Sequence, residues 1–222
     1  MINGKKCVFM VHTSPVSLSD LKALFAELAP EVVVRNIIDD SLLAEVLSQG
    51  GVTEGVRSRM REYYKCAESA GADLIFNQCS SVGEAADLAA EHVRVPVLKV
   101  DVPMAEKACL SGQRVGVVAT LRTTLGPTCR LIRKTAERLG RKVEVVEALC
   151  EGAFDKLVAG ERKKHNEMVI ATIRELATQV DVVVCAQGSM VALLPDLGKT
   201  PVPVLTSLRL GVERAAKMLA KL

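Results

Sequence analysis

Short β-branched runs alternate with helical patterns along the whole chain of 222 residues, and this alternation predicts an α/β fold with parallel sheets covered on both faces. A second observation is that the later half of the chain repeats the plan of the earlier one. A third is that each half carries an Asp-led apolar run that passes at once into a polar turn and a helix, AGADLIFNQC in one and TQVDVVVCAQ in the other. The prediction is a duplicated α/β unit.

In order, residues 6–11 read as a strand, followed by the turn-forming HTSPVS and a helix over 18–28 that Ser17 or Ser19 could cap and Pro30 ends. Residues 31–36 form a second strand, and 41–47 a short helix closed by Gly50 and Gly51. Thr53 starts a long helix that stops at Gly71. A strand over 73–77 delivers the chain into QCSSVGE, which opens a helix over 82–91. A strand over 95–100 and a helix over 103–110 complete the first half. The second half runs strand 114–119, a helix opened by LRTT and reaching about 139, strand 142–146, helix 161–179, strand 181–186, the turn QGSM with a short helix, strand 202–205 and a last helix over 208–222.

The two halves align residue by residue. Asp181 follows Asp73 at 181 less 73, or 108 residues, and the VPVL of 202–205 follows that of 95–98 at 107, so one indel reconciles the halves. The expected domains are 1–105 and 106–205, with the C-terminal segment 206–222 packing back on the first. Ligands of parallel α/β sheets sit beyond the carboxyl ends of the strands, which places the expected site between the halves.

Composition narrows the function. Hydrophobic residues make up 49% and mean hydropathy is +0.25, so the chain buries a core and is expected to be globular. Its apolar runs fall far short of a bilayer span, and no membrane helix is expected. Lys and Arg number 29 against 26 Asp and Glu, interspersed, with only four Phe, two Tyr and no Trp to stack on bases, which argues against nucleic acid as a partner. The opening MINGKKCVFMVHTS has too short an apolar stretch for a signal peptide and reads as a first strand. Seven cysteines without CxxC pairs predict free thiols, no zinc site and a cytoplasmic location. No GxGxxG after a strand, no P-loop, no HExxH and no GxSxG occurs.

Cys79 stands just past a strand and just before a helix, where free N–H groups and the helix dipole stabilise a thiolate and predict a lowered pKa. A small buried cysteine ending a strand is the bland alternative. Gln78, Ser80 and Ser81 flank it and could hold a substrate carboxylate. His12, Thr13 and Ser14 after the first strand, and Thr120, Thr123 and Thr124 after its counterpart, offer further hydroxyls and N–H groups at the same edge, although each alone could be an ordinary cap. Gln187, Gly188 and Ser189 form the turn equivalent to that of Cys79. Cys185 could reach a central site or could equally be a core residue of its strand. Core packing is the default for Cys7, Cys66, Cys109, Cys129 and Cys150, and His165, amid KKHNE, reads as a residue of a solvated face.

VHTSPVSL, ADLIFNQCSSVGEAAD, RVGVVATLRTT, LCEGAFDKLVAGERKKH, DVVVCAQGSM and VPVLTSLRLGVERAA together resemble the aspartate/glutamate/hydantoin racemase superfamily over essentially the whole chain. The resemblance implies two pseudo-symmetric Rossmann-like, or flavodoxin-like, domains facing each other across a cleft. It also implies a dimer or larger homo-oligomer and catalysis without pyridoxal phosphate, metal or other cofactor. In that family one cysteine from each half deprotonates or reprotonates a carbon next to a carboxyl or carbonyl. Cys79 matches the first cysteine, whereas the repeat puts Gln187 at the second place. Cys185 would then serve through a local shift, or a single cysteine works alone. The expected activity is therefore a cofactor-independent racemase or isomerase of a small carboxylate, amino-acid or hydantoin-like substrate. The alternatives are a one-cysteine decarboxylase of a malonate-type acid and a carboxylate-binding protein without turnover.

Overall fold

The computed structural model describes residues 4–222. The chain divides into two compact units, Met1–Asp101 with Leu208–Leu222, and Val102–Ser207. The first holds β1 (Cys7–His12), α1 (Leu18–Leu28), β2 (Val33–Ile38), α2 (Ser41–Gln49), α3 (Glu54–Ser69), β3 (Leu74–Asn77), a 3-10 turn at Ser80–Val82, α4 (Gly83–Ala90) and β4 (Val97–Lys99). The second holds α5 (Val102–Ser111), β5 (Arg114–Ala119), α6 (Arg122–Arg138), β6 (Glu144–Leu149), α7 (Ala153–Val158), α8 (Arg162–Leu176), β7 (Val182–Cys185), a 3-10 turn at Gly188–Leu193, α9 (Leu194–Leu197) and β8 (Val204–Leu205). The last helix, α10 (Ser207–Leu219), returns to the first unit, where a Cβ at Gly211 would stand 2.9 Å from the Val100 carbonyl oxygen.

Each unit contains one parallel four-stranded sheet, ordered β2-β1-β3-β4 and β6-β5-β7-β8. The fold class is α/β with a duplicated topology. The central strands LIFN and VVVC are buried on both faces, which is why their sequences read as unbroken apolar runs rather than alternating ones. The repeated aspartates share one task. Asp73 accepts the Cys7 N–H at 2.8 Å and pairs with Lys6, and Asp181 accepts the N–H groups of Gln113 and Arg114, both at 2.8 Å. Each fastens the start of the neighbouring central strand. Helix starts follow their local chemistry as well: Thr53 Oγ1 accepts the Val56 N–H at 3.1 Å, and Gly71, at φ +86°, turns the chain out of α3.

The structure departs from the sequence expectation in several places. β6 runs from Glu144 to Leu149 rather than over 142–146, because its ladder with β5 opens only where Arg114 faces Glu144 and continues to Ala119 opposite Leu149. Helix α7 was not expected; it is a six-residue helix set between Gly152 at φ +75° and Gly160 at φ +78°. His165 is buried, not solvated: its Nδ1 is 2.9 Å from the Ala153 carbonyl oxygen, tying α8 to α7. Among the described residues no helix is long and apolar enough to cross a membrane.

The core of the second unit packs α8 closely on β5. A Cβ at Gly116 would stand 2.6 Å from Leu176 Cδ2 and 3.1 Å from Val180 Cγ2, so glycine is what allows the approach. Gly116→Ala is expected to cost about 1–3 kcal/mol through overpacking, read as a lower urea midpoint at unchanged slope. An unaltered midpoint would contradict this packing.

Candidate active site

In a sheet ordered 2-1-3-4 the strand order reverses between the first and third strands, and the loops leaving those two strands splay apart at their carboxyl ends. In the first unit these are the loop after His12 and the loop after Asn77. Val11 lies opposite Asn77, and the Gln78 N–H donates to the Val11 carbonyl at 3.1 Å, which sets both loops level. Asn77 is buried, and its Nδ2 donates to the Cys79 carbonyl at 3.0 Å, so the strand end itself clamps the turn.

Cys79 is extended and precedes the 3-10 turn. Its sulfur has the Thr13 hydroxyl, the N–H groups of Ser81 and Val82 and the Ser81 hydroxyl within hydrogen-bonding reach. Burial pushes the thiol up and these donors pull it down, and burial prevails: the Cys79 pKa lies above the ordinary thiol value of 9.0. The expectation of a lowered pKa is corrected accordingly. The donors foreseen for a thiolate are present, but packing against the core of the first unit takes the sulfur largely out of water. Cys79 nevertheless retains some accessible surface, unlike Cys7, Cys109, Cys129, Cys150 and Cys185, while Cys66 is exposed.

His12 and Thr13 are buried and Ser14 is half-buried. His12 Nε2 lies 3.1 Å from Asn36 Oδ1, and burial lowers the imidazole pKa, so the ring is neutral with Nε2–H donating. That tautomer leaves Nδ1 as an acceptor, and it has no partner among the described residues. Ser80 and Ser81, which form the turn, are buried, and Gln78 is half-buried. Asp101 joins this group and was missed by the sequence reading. It is a carboxyl of only 3% exposure just after β4, with Ser80 in hydrogen-bonding reach. An aspartate between two apolar residues directly after a strand was its one visible trace.

The second unit repeats the geometry with different chemistry. Val118 lies opposite Cys185 as Val11 lies opposite Asn77, so Cys185 is the counterpart of Asn77. It is fully buried in the core with Val118, Ala153 and Val169, and burial pushes its thiol up to about 12. Gln187 takes the place equivalent to Cys79. Its Oε1 accepts from the Thr120 N–H at 2.7 Å and hydroxyl at 3.0 Å, and its Nε2 stands 2.9 Å from the same hydroxyl oxygen. The pairing Thr120 with Gln187 thus mirrors Thr13 with Cys79. Thr124 is buried, while Thr123, Gly188 and Ser189 are half-buried, and the Thr123 hydroxyl has no protein partner.

Among the described residues no three His, Cys, Asp or Glu side chains converge to hold a metal ion. A groove of about 760 Å³ on the second unit, lined by Arg162, Lys163, Asn166, Glu167, Arg174 and Asp196 among others, contains none of the strand-edge residues above. Lys163 and Glu167 pair there at 4.0 Å, and Arg174 donates to the Leu197 carbonyl at 3.0 Å.

The fold is shared with several solved structures. Glutamate racemase from Bacillus anthracis superposes with a TM-score of 0.77 at 16% identity, covering 97% of this chain and 82% of that one. Aspartate racemase from Picrophilus torridus gives 0.69 at 16% identity over 96% and 94%. Allantoin racemase from Klebsiella pneumoniae gives 0.65 at 16% over 98% and 89%. No curated protein matches the sequence. Residues 13–215 match the Asp/Glu/hydantoin racemase family as a whole, a span that takes in Thr13, Cys79, Thr120 and Gln187, and the chain belongs to that family.

Proposed function

We propose that the chain is a cofactor-independent racemase-type isomerase in which the Cys79 thiolate takes the proton from a carbon next to a carboxyl or carbonyl of a small carboxylate, amino-acid or hydantoin-like substrate. The observation that carries this reading is the set of donors around one sulfur: the Thr13 hydroxyl and the N–H groups of Ser81 and Val82. They favour the ionised form of a thiol that burial otherwise keeps protonated, which gives a base that is strong once formed. Abstraction moves the α-proton to sulfur and leaves the electron pair as an enediolate. Hydroxyls and amides of the Thr13–Ser14 and Ser80–Ser81 segments are the donors proposed to stabilise that charge.

Gln187 gives the proposal its particular form. A carboxamide neither takes nor gives a proton near neutral pH, and Thr120 holds this one in place. Cys185 is withheld from the role by its burial and its strand position. Cys79 is therefore proposed as the sole cysteine in proton transfer, with return of the proton to the opposite face depending on solvent.

Proton NMR in deuterated water over a panel of amino acids, hydantoins and malonates tests the reading. Wild type is expected to exchange the α-proton of at least one substrate without loss of mass, and Cys79→Ala to lower that rate about 10²- to 10⁴-fold, as for loss of a general base. Full activity in Cys79→Ala, or carbon dioxide release from a malonate without exchange, would overturn it. Because the ionised thiol is the base, kcat/KM is expected to rise about tenfold per pH unit below the Cys79 pKa and to level off only above 9.0. A plateau already at neutral pH would contradict the buried thiol. Gln187→Cys is expected to raise inversion relative to exchange; an unchanged ratio would mean that this place does not serve the opposite face.

A further inference from the structure

Asp101 is a buried ionisable group that the proton transfer above does not use. It follows Val100, whose N–H donates to the Asn77 carbonyl at 2.9 Å, so Asp101 stands at the carboxyl edge of the sheet that leads to Cys79, just past the strand adjacent to β3. It is 3% exposed, its Oδ1 has no partner among the described residues, and the Ser80 hydroxyl is within hydrogen-bonding reach of its carboxyl. Burying a carboxyl in this way is costly, more so when it is only partly satisfied. The nearby cation offers little relief: Lys99 Nζ is held by Asp87 Oδ2 at 2.7 Å and the Gly83 carbonyl at 3.4 Å, and Asp87 itself adds like charge.

The duplicated frame contains its own comparison. Ile75 opposite Val97 in one sheet and Val183 opposite Val204 in the other fix an alignment in which Gln187 stands for Cys79, Gly188 for Ser80 and Leu208 for Asp101. A carboxyl required only to finish that strand would serve both units equally. Instead, the pair of carboxyl and hydroxyl accompanies the cysteine, and leucine and glycine accompany the glutamine.

We infer that Asp101 is a positioning residue for Cys79: its carboxyl holds the Ser80 hydroxyl, and with it the turn whose Ser81 and Val82 N–H groups face the Cys79 sulfur. Burial raises the carboxyl pKa, which favours its neutral form and lessens the negative charge set against the thiolate. The consequence for turnover rests on Cys79 being the reacting group, but the thiol can report the contact without any substrate.

The test is the rate of Cys79 alkylation by iodoacetamide in the full chain, followed by peptide mass spectrometry from neutral to alkaline pH, with thermal melting in parallel. Asp101→Ala is expected to lower the rate at mildly alkaline pH about tenfold, one unit in thiol pKa, by freeing the turn and its donors. Asp101→Asn keeps an oxygen that can accept from Ser80 and is expected to stay near wild type. Ser80→Ala removes the contact from the other side, reproduces the loss, and serves where the melt shows that Asp101→Ala does not fold. An unchanged rate in the folded Asp101→Ala or Ser80→Ala protein, or an Asp101→Asn protein that falls as far as Asp101→Ala, would overturn the inference. Since labelling needs no substrate, a chain silent in the exchange assay would still give this result.

Discussion

Parallel pairing of β1 with β3, with Val11 opposite Asn77, brings the loops that leave both strands to one level at the carboxyl edge of the first sheet. Thr13 lies beside Cys79 because of that register, and a slip of one residue would turn each of these side chains to the other face. The Asp73 carboxylate fastens the start of β1, and the Asn77 amide clamps the turn at the far end. The strand pair therefore positions the sulfur from both directions, and the helices serve mainly to cover it.

The same frame built twice separates architecture from chemistry. Asp181 repeats the fastening of Asp73, Cys185 takes the place of Asn77, and Thr120 reaches Gln187 as Thr13 reaches Cys79. Only the first unit puts a titratable group at the end of that series. Its electrostatics are a contest between the amides of the helix start, which favour a thiolate, and the burial that opposes it, with burial ahead. Such a group is suited to a proton held until needed more than to standing charge.

Much of this was legible in the sequence, and the parts that were not have physical reasons. Apolar runs led by Asp73 and Asp181 marked the central strands because a strand buried on both faces has no polar residues to hide among. Cys79 stood out because a cysteine between a strand and a helix start is chemically distinctive, and the offset of the repeat pointed to Gln187 in the equivalent place of the second half. His165 was misread because its charged neighbours describe their own faces of α8, while the histidine points to the Ala153 carbonyl. Asp101 was passed over because its partner, Ser80, is distant in sequence and reaches it only through pairing of β3 with β4. The sign of the Cys79 shift was missed for a related reason: local sequence reveals donors, whereas burial is set by the whole unit.

The central claim is that proton transfer depends on one cysteine, and the isotope content of substrate and product early in a reaction in deuterated water tests it most directly. A single base that returns protons to the face from which it took them predicts that unreacted substrate gains deuterium at least as fast as inverted product appears. Inverted product that accumulates while the remaining substrate keeps its protium until late conversion would show a second group serving the opposite face faster than Cys79 returns its own proton, and would contradict the account.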